Sequence, residues 1–272
     1  MKISKKEKIQ QLTEYTKDYD FFVNNVSFSD GNEKIISDIT LTLNRGETFI
    51  LVGPSGSGKT TLLKLIFGLL YPTEGEVFIR GYNTHTASTE ELQNLMKEME
   101  IVFQYGSLIS NMNVYDNLAL MNRYYVIRTE DELEKEINIH LEYFGILQRK
   151  MFRPAQLTMT ESKSASFCRI LLNESKIVFI DDPFSGLDEI TSRKVLSMLK
   201  KFKKEKRTLV ISVTDIDFGY DFSDKIGLID GGKLVFFGTP DELKRNNEKQ
   251  IKDLIKRISR QSEEAREDKE AE

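Results

Sequence analysis

Glycines at 53, 56 and 58, followed by Lys59 and Thr60, give the run Gly53-Pro54-Ser55-Gly56-Ser57-Gly58-Lys59-Thr60 the spacing of a phosphate-binding loop. Residues without a Cβ let backbone N–H groups turn into one concavity that holds phosphate oxygens. A helix starting directly after the loop adds its positive N-terminal end. Lys59 would reach the β- and γ-phosphates, and the Thr60 hydroxyl would hold Mg²⁺. The expected cofactors are therefore ATP and Mg²⁺, with Thr61 extending the nucleotide-binding set. Such a site also needs a carboxylate at the end of a neighbouring strand, and Ile177-Val178-Phe179-Ile180-Asp181 supplies it through Asp181.

These residues need a scaffold of buried strands. Thr48-Phe49-Ile50-Leu51-Val52 is a continuous apolar run leading directly into Gly53, and Thr61 to Phe67 reads as the helix that follows. Lys176 to Asp181 and Thr208 to Val213 are two more such runs, separated by a helix-like Glu189 to Lys203, which makes a parallel-sheet unit. Upstream, Phe21-Phe22-Val23, Val26-Ser27-Phe28 and the alternating Ile39 to Leu43 predict a small, largely antiparallel β-region. About 88–172 is polar with helical stripes and is assigned to a mostly helical subdomain. The expected organisation is an N-terminal arm over 1–20, an ATP-binding domain over 21–245, and a charged helix or tail over 246–272. In that tail the stripe Ile251, Leu254, Ile255, Ile258 offers a docking face for a partner.

Composition narrows the class. With 39% hydrophobic and 30% charged residues, the chain of 272 residues fits a globular protein. Its longest apolar run, Leu65 to Tyr71, falls far short of the roughly 20 residues that cross a bilayer, so any membrane span must come from a partner. Met1 to Lys8 is charged with no apolar run behind it, so a secretory leader is not expected and the working compartment is cytoplasmic. A net charge of −4 argues against broad affinity for nucleic acid. The single cysteine, Cys168, rules out an internal disulfide framework and reads as core filling.

From here the chain resembles the ABC transporter ATPases. Ser185-Gly186-Leu187-Asp188 follows Asp181 like that family's D-loop, and Gln104 in Ile101-Val102-Phe103-Gln104-Tyr105 resembles the glutamine that approaches magnesium and couples to the permease. The likeness runs from about residue 21 to 245. Within the superfamily, Val102 to Leu108, Asn113 to Asn117 and Pro183 to Ser192 resemble the ATPase of Mce-type (Mla) lipid transporters. The resemblance implies a P-loop NTPase ABC cassette of α/β class, with a parallel-sheet core, an antiparallel β subdomain and a helical subdomain. It also implies Thr60, Asp181 and Gln104 on magnesium, and an aromatic stacked on adenine, for which Phe28 is the candidate. The partners would be an integral membrane permease and a second ATPase subunit, identical or different, at the cytoplasmic face of the inner or cell membrane.

Three departures from that family bear on catalysis. Asp182 stands where the family has the glutamate that orients the attacking water, one methylene shorter. Thr214 occupies the place of the switch histidine, and the only histidines, His85 and His140, lie elsewhere. Leu157-Thr158-Met159-Thr160-Glu161 replaces the signature Leu-Ser-Gly-Gly-Gln, with a capping box Thr158-x-x-Glu161 preserved. Met159 and Thr160 put side chains where the backbone should approach the partner's γ-phosphate, and Glu161 brings a negative charge toward it. Family domains pair head to tail, so every site containing this chain lacks some element. The expected function is an ATP-binding transporter subunit with weak hydrolysis. The alternative is a nucleotide-binding regulatory or scaffold subunit without significant turnover.

Overall fold

The computed structural model describes residues 19–125 and 127–271, so most of the expected N-terminal arm lies outside the described residues. Two compact units emerge, one from Met1–Lys97 with Lys206–Glu272 and the other from Glu98–Glu205.

In the first unit, β1 (Tyr19–Asp30) and β2 (Glu33–Asn44) form a long antiparallel pair, and β4 (Glu74–Ile79) and β5 (Tyr82–Asn83) extend it in the order β2-β1-β4-β5. The two short runs at Phe21 and Val26 are one strand. Asn25 bulges between them at φ 50°, its amide N–H bonded to Thr40 Oγ1 at 3.0 Å. A mixed sheet carries β3 (Thr48–Val52) between two parallel neighbours, β8 (Thr208–Val213) and β9 (Lys225–Asp230), with β10 (Lys233–Gly238) antiparallel to β9. Every residue of β3 and β8 is buried, as unbroken apolar runs require. Fully burying each Ile, Leu or Phe of these strands contributes about 1.5–3 kcal/mol. The buried Asp20 carboxylate fastens the two sheets together. It accepts from Arg80 Nε at 2.8 Å and from the hydroxyl of Thr208, which itself accepts the Gly46 N–H at 2.7 Å.

Helices α1 (Lys59–Phe67), α2 (Thr89–Met96), α7 (Ile216–Phe222), α8 (Pro240–Arg245) and α9 (Lys249–Ala271) complete this unit. The expected docking stripe is largely used by the chain itself. Ile251, Leu254 and Ile258 of α9 are buried, α9 packs against α7, and Arg257 reaches Asp230 at 2.6 Å.

The second unit holds β6 (Met99–Val102) parallel to β7 (Ile177–Asp181), with α3 (Val114–Tyr125), α4 (Glu130–Phe144), α5 (Met159–Asn173) and α6 (Glu189–Lys204). Thus the stretch read as mostly helical also carries a strand. Helix α5 is its centre, packed on α3 and α4, with Phe167 stacked on Phe144 at 6.1 Å. Cys168 is buried and donates to the His140 carbonyl; burial pushes its thiol well above the ordinary range and leaves it inert.

Capping carboxylates give the fold an acid-sensitive edge. Glu91, Glu132, Glu161 and Glu242 each accept the backbone N–H of the N-cap three residues earlier, and Asp188 accepts that of Thr191; these bonds hold all five below their ordinary values. A folded pKa below the unfolded one gives stability that is present above the unfolded value and lost as pH falls through the folded one. Melting temperature is therefore expected to drop as pH is lowered from about 5 to about 3. The drop should be smaller in Glu161→Gln, which a pH series of thermal melts measures.

Among the described residues, no helix is long and apolar enough to cross a membrane.

Candidate functional site

The phosphate-binding loop joins β3 to α1. The N-cap of α1 is Gly58, left-handed at φ 100° with no side-chain cap, and no acidic residue sits in the first turn. This helix start therefore presents positive backbone dipole to whatever enters the loop. Gly53 is held so tightly that a Cβ there would lie 2.4 Å from the Ile229 carbonyl oxygen and 2.8 Å from Ser57 Oγ. A Cβ on Gly58 would meet Ile36 Cδ1 at 2.9 Å, whereas one on Gly56, at φ 76°, would meet nothing. The loop is backed by protein at its ends and open in the middle.

Lys59 Nζ donates to the carbonyls of Gly53 and Pro54, both at 2.8 Å, and so folds back over the loop. Among the described residues, Ser57 Oγ is buried without a hydrogen-bond partner. Gly232, in the turn between β9 and β10, donates to the Ser57 carbonyl at 3.0 Å and accepts from the Ser37 N–H at 2.9 Å. The only local sign of this clamp in the sequence is the hairpin-turn signal of Asp230-Gly231-Gly232-Lys233. A glycine cradle, a lysine at its rim and a helix N-terminus fit a polyphosphate.

Phe28 is half-buried on β1 and is the register partner of Ile36, whose Cδ1 a Cβ on Gly58 would meet. Thr214 follows Val213, which pairs with Val52, so it leaves the sheet on the strand beside the one feeding the loop.

In the second unit Val102 pairs with Ile180, so the segments bearing Gln104 and Asp181 leave the β6-β7 pair at the same end. Asp181 is only 4% exposed, and Asp182 takes a left-handed φ of 52°. The half-buried Gln104 lies in a loop fixed to α5: the Ser107 N–H donates to Ser166 Oγ at 3.0 Å, and Arg169 reaches the Ser107 carbonyl at 2.6 Å and Glu100 at 2.8 Å. Asp188 caps α6 through the Thr191 N–H at 2.8 Å. Among the described residues no group of three or more His, Cys, Asp or Glu side chains gathers as a metal site.

At the signature position an exposed Met159 and a half-buried Thr160 lie against Gly186. Thr160 Oγ1 donates to the Gly186 carbonyl at 2.8 Å, and Met159 Sδ lies where a Cβ of Gly186 would fall, 2.4 Å away. Glu161 differs from the sequence expectation. Its carboxylate accepts the Thr158 N–H at 2.9 Å and Arg149 Nε at 2.8 Å, so the negative charge is compensated within its own unit.

The profile of the ABC transporter family matches residues 36–185, which include the phosphate loop, Asp181 and the start of the D-loop-like run. The chain belongs to the ABC transporter ATP-binding family. The cassette is 30% identical over 235 residues to the intermembrane phospholipid transport system ATP-binding protein MlaF of Escherichia coli, covering 86% of this chain and 87% of that one. It is also 30% identical over 222 residues to the phosphonates import ATP-binding protein PhnC of Wolinella succinogenes, covering 78% and 80%. Among solved structures it resembles the dimeric post-hydrolysis state of the ATP-binding cassette MJ0796 bound to ADP and Pi, with a TM-score of 0.73 and 27% identity, covering 81% of this chain and 98% of that one. Members of this ATPase family bind ATP, and this chain is the ATP-binding subunit of a transporter.

Proposed function

We propose that this cassette serves a transporter of lipid or another hydrophobic substrate, binds MgATP through Gly53 to Thr61, and hydrolyses it slowly. The geometry of the phosphate loop carries the binding part: a strand-to-helix turn closed to a Cβ at Gly53 and Gly58, with positive φ at Gly56 and Gly58, rimmed by Lys59. The metal roles of Thr60, Asp181 and Gln104 and the adenine-stacking role of Phe28 are proposed with it, on the family resemblance. Likeness to MlaF supports the lipid substrate. A permease and a second cassette are the proposed partners, nucleic acid is not, and the proposed location is peripheral, at the cytoplasmic face of the membrane.

Slow turnover follows from three side chains. Asp182 is short for water activation, Thr214 cannot exchange a proton as a histidine does, and Thr160 directs its hydroxyl at Gly186. The last of these also favours a second reading, a regulatory or scaffold subunit in which bound ATP holds an assembly together.

Steady-state ATPase measurements decide the catalytic claim. The unmodified chain is expected to turn over slowly, and Asp182→Glu with Thr214→His is expected to raise the rate by about tenfold or more, a part of the roughly 100- to 10,000-fold that general acid–base catalysis contributes. Glutamate starts at a disadvantage there, because a φ of 52° suits aspartate better. Robust turnover by the unmodified chain, abolished by Lys59→Ala, would overturn the claim.

A further inference from the structure

Lys163 is fully buried, at 0% exposure, on the second turn of α5. Lysine is almost never buried so completely unless its amine is given partners. Here Nζ donates to the carbonyl of Asp182 at 2.5 Å and to that of Ser185 at 2.9 Å. Both carbonyls belong to the turn that leaves β7 directly after Asp181, in which Asp182 is left-handed. Beside it, Thr160 of the same helix holds the Gly186 carbonyl of that turn. One face of α5 therefore grips the carboxylate-bearing turn at three backbone oxygens. Its other contacts, through Ser166 and Arg169, fix the Gln104 loop.

We infer that Lys163 is a positioning residue: acting through the Asp182 and Ser185 carbonyls, it sets the placement of the Asp181 and Asp182 carboxylates and thereby the magnesium dependence of nucleotide binding. This rests on the MgATP reading above. An apolar side chain of the same length can fill the space that Lys163 fills, but it takes the amine's two hydrogen bonds away from the Asp182 and Ser185 carbonyls and loosens the hold on the turn. Residues that orient metal-ligating carboxylates typically change metal affinity by roughly ten- to a hundredfold when removed.

The test separates nucleotide binding from metal binding. Thermal melts of the full chain are recorded with ATP in EDTA and with ATP across a magnesium titration, for wild type, Lys163→Met and Lys163→Arg. Lys163→Met is expected to keep the wild-type shift with ATP in EDTA and to need roughly tenfold more magnesium for half of the additional shift. Lys163→Arg, which retains donors, is expected to recover part of that loss. The inference is overturned if Lys163→Met shows the wild-type magnesium midpoint, or if it loses the EDTA shift in the same proportion, which would mark a general packing role. Should Lys163→Met not melt cooperatively, Lys163→Gln is judged by the same two outcomes. A wild type that responds to ATP but not to magnesium would instead strike the MgATP reading itself, and the inference with it.

Discussion

Lys59→Ala is expected to abolish most of the thermal stabilisation that MgATP confers. A ligand present at one hundred times its dissociation constant stabilises by about 2.7 kcal/mol. At about 2–4 °C per kcal/mol for a chain of this size, the wild type should melt roughly 5–11 °C higher. Lys59 Nζ lies 2.8 Å from the Gly53 and Pro54 carbonyls, at the rim of the loop. A unit charge about 4 Å from a phosphate oxygen is worth between about 1 kcal/mol in water and about 4 kcal/mol near a protein surface. Losing about 2.7 kcal/mol of that weakens binding about a hundredfold, and at the same ligand concentration only about 0.4 kcal/mol of stabilisation survives. Without nucleotide the variant should melt close to wild type, because Lys59 is only half-buried and water can take its place at the Gly53 and Pro54 carbonyls. Equal MgATP shifts in the two proteins would remove the phosphate-loop assignment.

The largest effect on folding is expected at Gly232. A Cβ there would lie 2.0 Å from the Ile35 carbonyl oxygen and 2.9 Å from its carbon, at a backbone φ of 76°. Backbone atoms cannot swing aside as a flexible side chain can, and moving Gly232 breaks its bonds to Ser57 and Ser37. A strained φ of about 1 kcal/mol and two buried hydrogen bonds of about 1 kcal/mol each give a cost of about 3 kcal/mol for Gly232→Ala. That corresponds to a fall of roughly 6–12 °C in melting temperature. Gly231 provides the control, since it too has positive φ, 52°, but nothing lies within 4 Å of its notional Cβ. Gly231→Ala should cost only the backbone term, about 1 kcal/mol. Similar melting temperatures for the two variants would refute the clamp.

These two residues differ in how far the sequence reveals them. Lys59 belongs to a local pattern in which spacing and chemistry coincide, and β3, β7 and β8 announce themselves as unbroken apolar runs. Gly232 matters because of Ile35, Ser37 and Ser57, and no local pattern encodes such a contact. Strand β6 carries little local signal, because Met99-Glu100-Ile101-Val102 is four residues long and sits among charged neighbours. The capping box of α5 was legible because its partners are three residues apart. Arg149, which compensates the charge of Glu161, approaches only through the tertiary fold. Lys163 was hidden for a similar reason: Thr160-Glu161-Ser162-Lys163-Ser164 reads as a solvated surface, yet Lys163 and Ser164 are fully buried.

The first unit is assembled from segments that precede and follow the second in the chain, and this has a consequence for biosynthesis. Glu98–Glu205 is continuous, so it can collapse as soon as it clears the ribosome. The phosphate loop, although made early, receives its backing from the Ile229 carbonyl and Gly232, which emerge far later. Closing such a long loop in the chain is slow compared with forming local contacts. Until β9 and β10 arrive, the nascent chain holds the nucleotide motif without the wall that shapes it. Competence to hold ATP is therefore acquired only once β9 and β10 have been made.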